Sequence, residues 1–172
     1  MGSRPDTLAL TIIYGLHMLA TVAWVGGLAA FAIIVLPAAE KGLPAERYHP
    51  FIARASHRLQ QTGWFSLAVL IVTGMFQMSA HPQYEGFLAI NNTWSLAIFI
   101  KHIVIGAMVV VSAYTTWVLN PAYQRLALLS AKGLPVDEEL LARMKHREVV
   151  ALRLMLMIAV IVLALTALAR VS

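Results

Sequence analysis

Four stretches of this sequence are long and apolar enough to cross a lipid bilayer as helices, and this constrains the fold more than any other feature. A helical span takes about 20 mostly apolar residues, and the stretches are 8–39, 59–84, 94–119 and 149–169. Helices are expected because each satisfies its own backbone hydrogen bonds in lipid. The sequence therefore predicts an all-α fold, an integral membrane four-helix bundle in which residues 1–172 form a single transmembrane domain.

The charged residues fit a topology signal better than a nucleic-acid surface. Charged residues make up 12% of the chain and the formal net charge is +5, whereas soluble proteins carry about 25% charged residues. Basic residues gather in 40–58 and 120–145, while 79–93 contains no Lys or Arg. By the positive-inside rule, the two basic segments face the cytoplasm and both termini lie outside. We therefore expect a multi-pass protein of the bacterial inner membrane, with no nucleic-acid partner.

The two halves of the chain share short motifs in the same order, which indicates an internal duplication. The tetrapeptide Lys-Gly-Leu-Pro at 41–44 recurs at 132–135, and Arg-x-x-His-Arg at 54–58 recurs at 143–147. We expect repeat one at about 8–80 and repeat two at about 94–170. Each repeat crosses the membrane twice, so the repeats are expected to be related by an axis along the membrane normal.

Four of the six histidines form two pairs under this duplication, His17 with His102 and His57 with His146. His17 and His102 lie at matched depth, roughly 12–14 Å inside their apolar stretches at 1.5 Å per residue. An ionisable residue inside a membrane is costly and usually marks a function. The alternative is a histidine that hydrogen-bonds a neighbouring helix or, for the second pair, meets headgroups and solvent.

Paired imidazoles in a helical bundle suit the two axial positions of haem iron. The chain has no cysteine, so the haem would be noncovalent haem b. We expect two haems per chain, with His17 and His102 on one and His57 and His146 on the other, separated by about 20 Å of height. Further candidates for cofactor binding are Trp24 and Gly27 near His17, Arg58, Arg147 and Arg153 for the propionates, and Lys101.

Several of these additional candidates also have a plain structural interpretation. Gly27 equally suits close helix packing, and Arg58 and Arg147 equally suit the positive-inside signal. Arg153 lies within the fourth apolar stretch, on the face of His146. Lys101 is also intramembrane, where it would bind a propionate, donate a proton, or extend its ammonium to the surface.

Two helices resemble a known family. The segment His17-x6-Trp24-Val25-Gly26-Gly27-Leu28 is similar to the first helix of CopD-like membrane proteins, and Trp94-x6-Lys101 is similar to the third. That group includes copper-resistance CopD domains and HemJ-type protoporphyrinogen oxidases. The resemblance implies a link to copper or haem, and it implies functional roles for His17 and Lys101. This chain departs from the HemJ pattern by adding His102 and the repeated Arg-x-x-His-Arg.

The leading hypothesis is a dihaem b-type cytochrome that carries electrons across or within the inner membrane, with a quinone or a redox protein as partner. One alternative is a HemJ-like haem-dependent protoporphyrinogen oxidase. Another is CopD-like copper transport or tolerance, for which Met75, Met78 and His81 lie at helical spacing and offer thioether and imidazole ligands. The sequence leaves the donor, the acceptor and any catalytic residue open.

Overall fold

Four long helices make up nearly all of the described chain. The computed structural model describes residues 7–82, 84, 86, 90–135 and 137–171. Helix α1 is Thr7–Gly42, α2 is Ala45–Ser79, α3 covers 93–131, and α4 is Glu138–Val171. Each of the four is long and apolar enough to cross a membrane. The predictions of an all-α fold and of four long apolar helices are confirmed.

The helices extend beyond the predicted apolar stretches at one end of the bundle. Helix α2 begins at Ala45 rather than at Leu59, and it ends at Ser79 rather than at Tyr84. Its 35 residues span about 52 Å at 1.5 Å per residue, whereas a hydrocarbon core is about 30 Å thick. The polar extensions lie beside the α1–α2 and α3–α4 connections, and we name this the basic end. The opposite end, which carries the first residues of α1 and α3, is named the terminal end.

Local sequence signals fix several helix ends. Asn92 and Ser95 form a reciprocal cap on α3, in which Ser95 N donates to Asn92 Oδ1 at 2.8 Å and Asn92 N donates to Ser95 Oγ at 3.1 Å. Asp137 accepts from the backbone N–H of Leu140 at 3.2 Å at the start of α4. These bonds satisfy N–H groups that the first turn of a helix leaves without intrahelical partners.

Helices α1 and α3 contain π-helical turns at corresponding positions. The π-turns are Phe31–Val35 in α1 and Thr115–Leu119 in α3. Each ends two residues before a proline, Pro37 or Pro121. Proline lacks an N–H and its ring crowds the carbonyl four residues earlier, so the regular bonding pattern cannot continue through it. Helix α1 has a further π-turn at Val22–Gly26.

The helices pack as two hairpins whose closest contact lies away from the terminal end. At the terminal end, the first half of α1 lies against α2, and the first half of α3 lies against α4. Towards the basic end, α2 packs on residues 120–131 of α3, and the middle of α1 approaches α4. Buried residues of all four helices meet in one core, which includes Trp24, Leu28, Phe31, Ile52, Leu67, Met108, Tyr123, Leu152 and Ala159.

The surface of the bundle is also apolar. Leu19, Ile33 and Val110 are 69%, 71% and 68% exposed, and many other large apolar side chains share this position on the outside. In water such a surface would be a liability, whereas lipid tails are as apolar as the side chains that they contact.

Replacing Ile52 with Ala should destabilise the bundle by about 2–5 kcal/mol, because removing a buried side chain leaves a cavity. Ile52 is 1% exposed. The matched control is Ile71→Ala on the same helix, where the side chain is 50% exposed and the expected change is within about 0.5 kcal/mol. Denaturation of detergent-purified protein, followed by circular dichroism, measures both. Equal losses from the two variants would contradict the placement of Ile52 in the core.

Candidate functional site

His17 on α1 hydrogen-bonds across the first hairpin to Thr73 on α2. Its Nδ1 lies 2.8 Å from Thr73 Oγ1, and the same hydroxyl donates to Val69 O at 2.6 Å. A hydroxyl has a single proton to donate, so Thr73 accepts from His17 and Nδ1 carries the hydrogen. The imidazole is therefore fixed in the tautomer whose Nε2 has the lone pair. A metal-binding histidine is oriented by the same kind of bond from its other ring nitrogen.

His102 on α3 has the same tautomer for a local reason. Its Nδ1 lies 2.7 Å from the carbonyl oxygen of Ile98, one turn earlier in the helix. A carbonyl oxygen only accepts hydrogen bonds, so Nδ1 of His102 donates and Nε2 has the lone pair. His17 and His102 are paired by repeat and by predicted depth in the sequence, and the structure gives both the same tautomer, with the lone pair of the neutral ring on Nε2.

Lys101 brings a positive charge to the region of His17. Its ammonium lies within electrostatic reach of the His17 imidazole, although the two residues belong to different hairpins. Lys101 and His102 are both partly buried. The structure therefore places the first-helix histidine and the third-helix lysine in one region, at the terminal end where each hairpin packs mainly within itself.

Trp24 and Gly27 take part in packing between α1 and α2. Trp24 is 6% exposed, and its indole Nε1 lies 3.3 Å from where a Cβ on Gly63 would stand. A Cβ on Gly27 would lie 3.2 Å from Leu59 Cδ1. Small residues at these two positions let the helices approach closely, so the packing interpretation of Gly27 has direct support.

The structure places the basic-end histidines on exposed surfaces of different helices. His57 on α2 borders a groove beside α3, and His146 on α4 is exposed. Between α2 and α4 at this level, the Ser56 hydroxyl donates to Glu148 Oε1. His146 precedes Glu148 by two residues, which is about 200° around the helix, so it projects away from that contact. The second haem stays a prediction without a geometric argument for it.

The three arginines that were candidates for propionate binding are all exposed. Arg58 borders the same groove as His57. Arg147 lies at the basic end of α4, and Arg153 lies on the outer surface of α4 rather than in the core. The placement of Arg58 and Arg147 suits the positive-inside interpretation, and propionate binding stays a prediction for all three arginines.

An internal cavity, which the sequence analysis did not identify, lies where the four helices meet. It measures about 70 Å³ and is lined partly by Ser56, Gln60, Ser112 and Glu148. Because a buried water needs about 10–15 Å³, the cavity has room for several waters, but it is far below the roughly 300–1,000 Å³ of ligand pockets. Ser112 Oγ is buried without a hydrogen-bond partner among the described residues. The cavity therefore suits water rather than an organic cofactor.

Polar contacts surround this cavity on the side of the basic end. Lys145 Nζ lies 2.7 Å from Glu40 Oε1 and 4.7 Å from the centre of the Tyr48 ring. Asn120 donates to Gln60 at 2.8 Å. Glu148 comes immediately before the fourth apolar stretch. A carboxylate at that place is the sequence feature from which these polar contacts around the cavity could have been predicted.

The three candidate copper ligands have different surroundings. Met75 is 61% exposed, while His81 stacks on Trp94 with ring centres 4.2 Å apart. This stacking joins the segment after α2 to the start of α3. Within the described residues, His, Asp and Glu side chains do not gather in a group of three or more that would bind a metal ion. Copper binding at Met75, Met78 and His81 stays a prediction.

Replacing Ser56 with Ala should destabilise the protein by about 1–3 kcal/mol, because the inward-facing carboxyl of Glu148 would lose its hydrogen-bond donor. Ser56 is 4% exposed. Ser79→Ala is the control on the same helix, because Ser79 is exposed and bonds only locally, to Phe76 O at 3.0 Å. Thermal unfolding in detergent compares the two. If Ser56→Ala leaves the unfolding temperature at the wild-type value, the bond to Glu148 does not contribute to stability.

Comparison of the chain with protein-family models, with curated proteins and with solved structures found no match.

Proposed function

We propose that this protein is an integral membrane haem protein of the electron-transfer type, with a b-type haem between the two hairpins at the terminal end. The observation that carries the proposal is the shared state of His17 and His102. Each imidazole donates from Nδ1, to Thr73 or to the Ile98 carbonyl, so in the neutral form of each ring the lone pair is on Nε2. The proposed duplication pairs the two residues, which stand 85 positions apart (102 − 17 = 85).

The set of donors fits haem better than it fits a bare metal ion. Two imidazoles leave a zinc ion two ligands short of its usual four. For haem iron, the porphyrin supplies the equatorial nitrogens and two imidazoles complete the axial positions. Such a haem, when bound, would supply one-electron chemistry with no open coordination position. His17 and His102 would bind the iron, Thr73 would orient His17, and Lys101 would offer its charge to a propionate.

Membrane insertion has support from the surface and from helix length. Four helices are long and apolar enough to span, and large apolar side chains cover the outside of the bundle. The proposed duplication has support from the π-turns that end at Val35 and Leu119, because they stand 84 residues apart (119 − 35 = 84). Pro37 and Pro121 repeat that offset (121 − 37 = 84).

The proposed orientation places the basic end in the cytoplasm and the terminal end outside, in the inner membrane. It follows from the clustering of Lys and Arg at the basic end. A haem at the terminal end would then lie nearer the outer surface, where it would exchange electrons with a quinone in the membrane or with a redox protein outside.

The second candidate is the HemJ-like alternative, a haem-dependent protoporphyrinogen oxidase. The proximity of Lys101 to His17 favours it, because these are the positions that the resemblance implicates. The two candidates differ in what Lys101 does. An electron carrier should keep its redox spectrum in Lys101→Met, whereas the enzyme should lose protoporphyrinogen oxidation while retaining haem.

Changing His17 or His102 to Ala should remove the terminal-end haem, because an axial ligand is lost. Thr73→Val should weaken haem retention by roughly 10–100-fold, because it deletes the group that orients His17. Reduced-minus-oxidised spectra and haem quantified per chain, on detergent-purified protein, measure these effects. His49→Ala is the control, since His49 bonds Tyr123 at 2.9 Å and lies in the basic-end part of α2.

The same measurements decide the number of haems. The dihaem proposal expects two per wild-type chain, with one lost on changing His57 or His146. One haem in the wild type, unaffected by His57→Ala and His146→Ala, leaves a single-haem protein. Wild-type haem content in both His17→Ala and His102→Ala would contradict the terminal-end assignment.

Tags near Lys41 and near Lys132 should be protected from reagents added outside the cell, because the positive-inside rule places both connections in the cytoplasm. Tags at either terminus and in the segment 79–93 should be labelled. Labelling of intact cells with a membrane-impermeant reagent, compared with permeabilised cells, makes the measurement. The opposite pattern would reverse the orientation without affecting the number of spans.

A further inference from the structure

A groove lies on the exterior of the bundle near the basic end, between α2 and the second half of α3. The proposed function does not assign a role to it. It measures about 460 Å³, within the range of about 300–1,000 Å³ usual for ligand pockets. Its α2 side presents Arg54, His57, Arg58 and Gln61, whose three- and four-residue spacing gives one helix face. Gln124 and Leu128 of α3 form the opposite wall.

The groove is rich in hydrogen-bond donors and in positive charge. Arg54 and Arg58 are one turn apart and both exposed, and guanidinium groups bind phosphate oxygens through paired hydrogen bonds. The Gln61 amide adds a neutral donor, and Gln124 adds the second hydrogen of its amide nitrogen, because the first is donated to Asn120 Oδ1 at 3.1 Å. The ion pairs of the described residues engage Arg143 and Lys145 instead. The charge of the groove therefore suits an anion with several oxygens.

The two copies of Arg-x-x-His-Arg differ in the surroundings of their arginines. In the second copy, Arg143 is paired with Glu139, one turn earlier on the same helix. In the first copy, Arg54 and Arg58 border the groove together with His57. A topology signal alone would need only the charges, whereas the first copy combines them with a concave site and amide donors.

The position of the groove relative to the proposed membrane span indicates which kind of anion would fit it. Arg58 immediately precedes the apolar stretch that starts at Leu59, so the groove lies where the proposed span meets the headgroup layer of the cytoplasmic leaflet. Ala53 and Leu128 give it an apolar part. An anionic phospholipid has both components, a phosphodiester for the arginines and acyl chains that continue along α2 and α3 into the bilayer. Basic pockets between helices on this side of a membrane bind such headgroups.

We propose that this groove is a binding site for the headgroup of an anionic phospholipid, in which Arg54 and Arg58 bind the phosphate and Gln61 and Gln124 donate to its oxygens. The inference rests on the proposed membrane location and orientation. It does not rest on the terminal-end haem, which lies at the opposite end of the bundle.

The test uses the full-length protein, with mass spectrometry of the intact complex in detergent after incubation with phosphatidylglycerol or phosphatidylcholine. The wild type should retain phosphatidylglycerol in preference to phosphatidylcholine. The double variant R54Q/R58Q should lose about thirtyfold in affinity for phosphatidylglycerol, which corresponds to about 1 kcal/mol for each basic residue. The control K41Q/R143Q removes the same charge from exposed basic-end positions outside the groove and should retain the lipid.

The other outcomes overturn the assignment in distinguishable ways. An equal loss in K41Q/R143Q would make the binding a general effect of surface charge. Competition by inorganic phosphate as effective as that by phosphatidylglycerol would make the groove a free-phosphate site. Loss of one haem per chain in R54Q/R58Q would assign the groove to a second haem. The haem spectrum and the recovery of each variant in the membrane fraction, read on the same samples, report separately on the proposed function.

Discussion

Backbone hydrogen bonding within four long apolar helices is the constraint on which the rest of this structure depends. A chain whose spans are apolar on nearly every side finds no partner for its N–H and C=O groups in a bilayer, so it must satisfy them within helices. Long helices then place apolar side chains outside, as at Leu19 and Ile33. Several polar side chains within these helices bond to other helices or to the preceding turn of their own helix, because an unpaired polar group in an apolar medium is costly, and Ser112 Oγ is an exception among the described residues.

These partners join particular helices. His17 meets Thr73 between α1 and α2, and Trp64 donates to Thr116 at 3.0 Å between α2 and α3. Where a proline interrupts the backbone pattern, α1 and α3 respond in the same way, with a π-turn that ends two residues earlier. The helix continues past both prolines, so the break affects local geometry and leaves the span intact.

The helices pack differently at the two ends of the bundle. At the basic end, all four helices approach, and contacts such as Lys145 with Glu40 and Ser56 with Glu148 occupy the space between them. At the terminal end, each hairpin packs mainly within itself, and His17 and Lys101 approach from different hairpins. The haem proposed for the terminal end would need such a separation between the hairpins. The groove beside Arg54 and Arg58 opens on the exterior of the bundle instead, which suits the proposed lipid.

The sequence by itself determined the four helices, their approximate ends at one side, and the places of His17, His102 and Lys101 along α1 and α3, because helix length and rise per residue depend only on local chain geometry. Only the tertiary structure decided the partners of Thr73 and Glu148 and the directions in which His57 and His146 project. A helix that is apolar all round gives no periodic signal of which face turns inward, so its rotation is set by packing against the other three.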